Sequence, residues 1–216
     1  MTDFTGGNVP IMATWAIVVA GGRGERFGER KQYLRLGPQR VLDWALQAAA
    51  PHVDGVVLVV PSDAVGEAEP PADVVVAGGD TRSASVRAGL AAVPADVATI
   101  VVHDAARPVP VPEVWERVLA AVAAGADAAV PAIPVSDTLR EVGGTTVDRT
   151  RFVVVQTPQG FRAAALRAAH ESAPEGTDDA SLVEAAGGRV VVVEGDAINI
   201  KITTPHDLRV AELLCP

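Results

Sequence analysis

The chain is expected to fold as an α/β domain, with a mainly parallel, doubly wound sheet and a projecting β-hairpin arm. Three observations carry that expectation. Apolar, β-rich runs alternate with Ala/Leu/Val stretches of helical spacing, as strand–helix–strand units with right-handed crossovers require. Several runs, such as Ala16-Ile-Val-Val-Ala20 and Val56-Val-Leu-Val-Val60, are apolar throughout, which suits strands covered on both faces. One segment breaks the alternation with two polar, extended runs around Gly143-Gly144.

Residues 1–13 read as a polar, disordered extension and residues 14–216 as a single domain. In order, strands are expected at 14–20, 55–60, 73–77, 99–103, 128–133, 152–155 and 189–194. Helices are expected between them at 41–50, 83–93, 112–124, 163–172, 180–186 and 205–214. Thr81 or Ser83 is placed to cap the second helix, and Thr177-Asp-Asp-Ala-Ser181 reads as a capping sequence for the fifth. From Val135 to Val142, and again from Thr145 to Val155, the chain reads as extended, with a glycine turn between. Asp137, Arg140, Glu141, Asp148, Arg149 and Arg151 would burden a buried sheet. The hairpin, about 135–154, is therefore read as an arm reaching to a partner.

Composition excludes several classes. No apolar run reaches membrane-spanning length, and no basic-then-apolar leader opens the chain. One cysteine, Cys215, gives neither a disulfide framework nor a thiolate metal cluster, and a reducing cytoplasm is the natural home. A net charge of −9 argues against general nucleic-acid binding. Yet residues 14–42 carry six cations against two carboxylates. That local excess points to an anionic ligand or to a solvated basic loop.

Lysine usage narrows the choice. Of 18 basic residues only Lys31 and Lys201 are lysines. Arginine serves as well as lysine for a solvated charge, but not where a compact ammonium must meet a phosphate. Lys31 closes the loop Ala20-Gly-Gly-Arg-Gly-Glu-Arg-Phe-Gly-Glu-Arg-Lys-Gln-Tyr-Leu34, whose glycines would let backbone N–H groups approach a phosphate. It is not the dinucleotide fingerprint, because Phe27 stands at the third glycine position, nor the Gly-Lys-Ser/Thr phosphate loop, because Lys31 follows Arg30. Gly78-Gly-Asp-Thr-Arg-Ser-Ala-Ser-Val86 and His103-Asp-Ala-Ala-Arg-Pro108 follow two further strands, where open α/β sheets bind ligands. Asp104 and Arg107 read either as a structural salt bridge or as holders of anions. His103 reads as structural, since no partner has metal-ligand spacing.

Taken with Ser136-Asp-Thr138, Val147-Asp-Arg149, Gln156-Thr-Pro-Gln159 and Asn199-Ile-Lys201, these loops resemble the 2-C-methyl-D-erythritol 4-phosphate cytidylyltransferase family from about Ala16 to Leu214. Departures from the family pattern fall at Glu25, Arg30 and Asp179. The resemblance implies a Rossmann-like nucleotidyltransferase converting CTP and 2-C-methyl-D-erythritol 4-phosphate to the CDP-linked alcohol and pyrophosphate, in non-mevalonate isoprenoid biosynthesis. It assigns transition-state charge to Arg26 and Lys31. CTP is assigned to Ala20, Gly21, Gly22, Gly79, Asp80, Ser85 and Ala105. The sugar phosphate falls to Asp104, Arg107, Thr138, Arg149 and Lys201, the last two aligning the attacking oxygen. It further implies Mg²⁺ carried chiefly by the triphosphate, no dedicated protein metal site, and a homodimer built through the arm. Ribitol 5-phosphate cytidylyltransferase, a nicotinamide-dependent oxidoreductase and a non-catalytic nucleotide-binding protein are the alternatives. The broken glycine fingerprint opposes the second, and the set Arg26, Lys31, Arg149 and Lys201 the third.

Overall fold

The computed structural model describes residues 13–21, 30–66, 69, 71–172 and 174–215. The expected extension, but for Ala13, and the expected site residues Gly22 and Arg26 lie outside the described residues.

The chain opens with β1 (Thr14–Val19), a short pair β2 (Arg35–Leu36) and β3 (Gln39–Arg40), α1 (Val41–Ala49), β4 (Gly55–Val60) and β5 (Val74–Ala77). It continues through α2 (Arg82–Ala92), β6 (Thr99–Asp104), α3 (Pro112–Ala123) and β7 (Ala128–Pro134). Then come β8 (Leu139–Arg140), β9 (Thr146–Val147), β10 (Val153–Val155) and β11 (Gln159–Arg162). The chain closes with α4 (Ala163–His170), α5 (Asp179–Ala185), β12 (Val190–Glu194) and α6 (Pro205–Leu214).

The main sheet has the order β10-β7-β11-β6-β1-β4-β5, and β12 also pairs with β7. Pairing is parallel from β5 through β4 and β1 to β6, and β12 is parallel to β7. By contrast β10 and β11 run antiparallel to their neighbours. The sheet is thus mixed, with parallel pairing through the half that carries the glycine loops.

Alternation along β1 explains the two helical layers. Ala16 and Val18 point with Val56, Leu58 and Val60 toward Leu42, Ala45 and Leu46 of α1. Ile17 points the opposite way, packing with Val57 and Val59 against Val86 and Leu90 of α2. Burying each large apolar side chain of this kind contributes about 1.5–3 kcal/mol. Local capping fixes where helices begin. Thr81 Oγ1 accepts from the Ala84 N–H at 3.0 Å, and Asp178 accepts from the Ser181 N–H at 3.0 Å, as expected. At α6, Thr204 and Asp207 form a reciprocal capping box around Pro205.

The hairpin requires correction. Instead of two long extended runs, only Leu139–Arg140 pairs with Thr146–Val147 across the turn at Gly143, whose φ is +75°. Asp148 ends the second run by accepting from the Thr150 N–H and hydroxyl, which folds Arg149–Arg151 into a single 3-10 turn. Val153–Val155 then returns to the main sheet against Ile133 and its neighbours. The segment between β7 and β10 is still a largely exposed projection.

His103 is structural. Only 2% exposed, it lies 5.3 Å from the Trp115 ring, whose other neighbour is His52, stacked at 5.4 Å. Its Nε2 donates to the Arg107 carbonyl at 3.1 Å, so Nδ1 accepts from the Thr157 hydroxyl at 3.3 Å. Burial pulls the imidazole down to about 4. The unfolded chain, with an ordinary histidine near 6.5, therefore binds a proton that the folded state refuses between these two values. Stability from this group is complete above about pH 6.5 and falls as pH drops toward 4. We expect urea unfolding to show a loss of about 2 kcal/mol from this group between pH 7.5 and 5, and a shallower slope in His103→Gln. Equal slopes in the two proteins would contradict the assignment.

Candidate active site

Parallel pairing sets Val19 of β1 opposite both Val59 of β4 and Asp104 of β6. The loops that follow these strands, and the one after β5, therefore open on the same edge of the sheet. Ala20 is held there by its N–H on the Val59 carbonyl, while its own carbonyl accepts from Gln32 Nε2 at 2.8 Å.

Gly21, Gly78 and Gly79 close against the first turn of α2. A Cβ on Gly78 would lie 2.9 Å from Ser85 Oγ, and one on Gly79 would lie 2.5 Å from the Ala84 Cβ. Gly21 meets the same hydroxyl, with 3.3 Å available. Ser85 donates to the Thr81 carbonyl at 2.9 Å. Thus Gly21, Gly79 and Ser85 lie together, with Asp80 exposed and Ala105 buried on the β6 side. Backbone groups that approach this closely can recognise a flat heterocycle by its edge.

The second half of the site is ionic. Lys201 Nζ donates to Asp104 Oδ2 at 2.5 Å, and Arg82 Nε lies 3.6 Å from Oδ1. Burial alone would raise the Asp104 carboxyl, but Lys201 and Arg82 hold it well below the usual carboxylate range. It stays ionised at any working pH. Lys31 Nζ donates to the Ile202 carbonyl at 2.6 Å. The two lysines, far apart in sequence, thus reach the same segment. A cavity of about 580 Å³ has Arg82, Asp104, Arg107 and Lys201 in its wall and extends between β7, β12 and α5 toward Val190 and Val192.

Other expected residues stand differently. The Asp104 carboxylate pairs with Lys201 and Arg82, and its residue meets Arg107 through the backbone, where the Arg107 N–H donates to the Asp104 carbonyl at 2.9 Å. Arg107 is 8% exposed, and its guanidinium donates to the Asn199 carbonyl at 2.6 Å and the Val155 carbonyl at 3.4 Å. Thr138 and Arg149 sit exposed on the arm and do not line the cavity. Arg149 donates instead to the Ser136 carbonyl.

Arg82 and Asp179 were not singled out as site residues by sequence. Asp179 is fully buried and pairs with Arg82 Nη1 at 2.7 Å. One signal was available: Arg82 opens α2, where a cation faces the positive end of the helix dipole and needs nearby acids.

The cavity wall sets Arg82, Arg107 and Lys201 against Asp104, Asp178 and Glu184, a polar lining of both signs. Cys215 is buried, and burial pushes its thiol up to about 11. Thr157 touches His103, but its hydroxyl is buried and also accepts from the Asp104 N–H. Among the described residues, no group of three or more His, Cys, Asp or Glu side chains is placed to hold a metal ion, and no helix is long and apolar enough to cross a membrane.

Known proteins are similar to this chain in sequence and fold. The sequence model of the IspD family, 2-C-methyl-D-erythritol 4-phosphate cytidylyltransferase, matches residues 14–215. The enzyme of that description from Nocardia farcinica is 45% identical over 213 residues, 92% of each chain. The bifunctional enzyme IspD/IspF of Clavibacter michiganensis is 43% identical over 92% of this chain, which spans 53% of that protein. Among solved structures, the 2-C-methyl-D-erythritol 4-phosphate cytidylyltransferase of Thermus thermophilus superposes with a TM-score of 0.78 at 40% identity, covering 92% of this chain and 96% of that one. On these matches the chain belongs to the 2-C-methyl-D-erythritol 4-phosphate cytidylyltransferase family and is a nucleotidyltransferase.

Proposed function

We propose that this chain transfers the cytidylyl group of CTP to the phosphate of 2-C-methyl-D-erythritol 4-phosphate. A phosphate oxygen forms a bond to the α-phosphorus of CTP. In line with it, the bond from that phosphorus to the bridging oxygen breaks, and the electron pair leaves with pyrophosphate. Such transfer depends on positioning and charge stabilisation and needs no protein nucleophile. One observation carries the reading: Lys31 donates to the carbonyl of Ile202, the residue next to Lys201, whose own ammonium pairs with Asp104. Lys31, with Arg26, would stabilise the charge developing on the α-phosphoryl oxygens, while Lys201 orients the attacking phosphate. Ala20, Gly21, Gly79, Asp80, Ser85 and Ala105 would frame the nucleotide.

A divalent cation fits this site only as a passenger of the triphosphate. The nearby carboxylate of Asp104 is already paired with Lys201 and Arg82, which favours Mg²⁺ held chiefly by phosphate oxygens. When bound, it would neutralise triphosphate charge.

The exposed arm supports a homodimer. Phe152, Val153 and Val154 are about half exposed in succession, at 47%, 50% and 48%. A second copy covering this strip would bring its own arm, with Thr138 and Arg149, over the neighbouring site.

Pyrophosphate release with CTP and each candidate sugar phosphate tests the reaction directly. Methylerythritol phosphate should be preferred, and preference for ribitol 5-phosphate would replace the substrate assignment. CTP should be used faster than UTP, and both faster than purine triphosphates, since the Gly21–Gly78–Ser85 approach leaves a narrow base site. Equal rates with CTP and ATP would refute the nucleotide assignment.

Lys31→Ala is expected to lower turnover by roughly two to three orders of magnitude with the fold intact. Lys31→Arg should fail similarly, because a guanidinium fork does not replace a single ammonium donor. Near-normal turnover in Lys31→Arg would remove Lys31 from the reaction centre.

Equal mixtures of Lys31→Ala and Arg149→Ala chains should regain about a quarter of wild-type activity once subunits exchange, because half the dimers hold one intact site. Demonstrated exchange without recovery would place Arg149 in the service of its own subunit.

A further inference from the structure

A file of polar and charged side chains runs from the buried side of α5 to the cavity. His170 Nε2 donates to Asp179 Oδ1 at 3.0 Å, and Arg82 Nη1 donates to Asp179 Oδ2 at 2.7 Å. Arg82 then presents Nε to Asp104 Oδ1 at 3.6 Å, and Asp104 Oδ2 accepts from Lys201 Nζ at 2.5 Å. His170 and Asp179 are 5% and 0% exposed, so this end cannot move toward solvent. The cavity-facing end is looser: the Lys201 side chain is 39% exposed.

Stability alone does not explain the file. Burying a carboxylate is expensive, and a buried ion pair commonly does no better than apolar residues of the same volume. What it does provide is geometry. Asp179 divides its two oxygens between two hydrogen-bond donors. Asp104 takes a hydrogen bond from Lys201 on one oxygen and the Arg82 ion pair on the other, so turning either carboxylate gives up a contact on both sides. Lys201 itself comes from a segment without helix or strand, and its ammonium takes its direction from Asp104.

We propose that Arg82, anchored by Asp179 and His170, is a positioning residue that fixes the Asp104 carboxylate and through it aims Lys201 at the acceptor phosphate. Arg82 is suited to this as lysine is not, since a planar fork can bridge two carboxylates at once. It acts on the acceptor half of the site and leaves the nucleotide half to the glycine cradle, although α2 contributes to both. The proposal rests on the cytidylyltransferase reading above.

The test is a double-mutant cycle on the full-length protein, using CTP and methylerythritol phosphate and measuring kcat and KM for each. Arg82→Gln should lower kcat/KM for the sugar phosphate about 10- to 100-fold, with KM for CTP changed less than about twofold. Arg82→Lys should not restore it. In the Lys201→Ala background, Arg82→Gln should have less than about a twofold further effect, because both changes remove the same interaction. A purely structural role would instead give additive losses, or lower kcat with both KM values unchanged; either result overturns the proposal. Should Arg82→Gln not fold, owing to the uncompensated Asp179, the pair Arg82→Gln/Asp179→Asn removes both charges and is read in the same cycle. Wild-type protein without turnover overturns the underlying reaction as well, whereas active wild type with an additive cycle overturns the positioning role alone.

Discussion

The site depends on β1 lying between β4 and β6 in one parallel register. Val19 faces Val59 on one side and Asp104 on the other, so the backbone of Ala20 and Gly21 leaves the sheet level with Ala105. A slip of one residue would exchange the faces of β1, sending Ile17 toward α1 and Ala16 and Val18 toward α2. Both layers are tightly filled, so both would resist. Gly89 of α2 shows how little room remains, since a Cβ there would come within 2.5 Å of Ile17 Cγ2. Packing of the two layers thus fixes the relative height of loops that are far apart in sequence.

The acceptor half relies on a different device. Gln156 Nε2 donates to the Asp196 carbonyl at 2.7 Å, Asn199 Nδ2 to the Thr157 carbonyl at 3.0 Å, and the Ile202 N–H to the Ala106 carbonyl at 2.8 Å. Arg107 ties the Asn199 carbonyl to that of Val155. Each neutral bond contributes about 1 kcal/mol net. Buried atoms such as Asn199 Oδ1 and Arg107 Nε meanwhile have no hydrogen-bond partner in the structure. The arrangement is therefore a modest source of stability and a strong source of position. It also joins the root of the arm at Val155 to the segment that bears Lys201.

Periodicity made the main sheet legible because its strands are apolar on both faces and its helices on one. The expected strand at 55–60 and helix at 205–214 have those bounds in the structure, and most other ends differ by one or two residues. What escaped was the two-residue pair β2 and β3, and β11. Gln159-Gly-Phe-Arg162 has no alternation, and its burial follows from Gly160 letting Val118 of α3 approach within what would be 2.5 Å of a Cβ. The long hairpin failed for a local reason: Asp148 offers the backbone an alternative to the ladder. Among site residues, loops after strands revealed Asp104, Ser85 and the glycines. Asp179 was hidden because Thr177–Ser181 does cap α5 through Asp178, and capping accounted for the whole motif. A residue of the same type, one position on and turned inward, leaves no periodic trace in so short a helix.

The division of labour between arginine and lysine follows from these contacts. Arg82 bridges Asp179 and Asp104, Arg107 bridges two carbonyls, and Arg40 bridges Asp43 and Glu69. In each case a planar fork fixes two partners, and exchanging one for a ligand would break a structural link. Lys201 has one carboxylate partner, and the side chain is 39% exposed. An ammonium can keep such an acceptor and still offer its remaining N–H donors to a phosphate oxygen, because it carries three donors on a flexible stem. In the 216-residue chain, 16 of its 18 basic residues are arginine, and the two lysines meet at one segment, Lys31 donating to the carbonyl of Ile202 beside Lys201. The described arginines that bridge two partners are thus spent on the scaffold, whereas Lys201, with a single carboxylate partner, keeps N–H donors to spare.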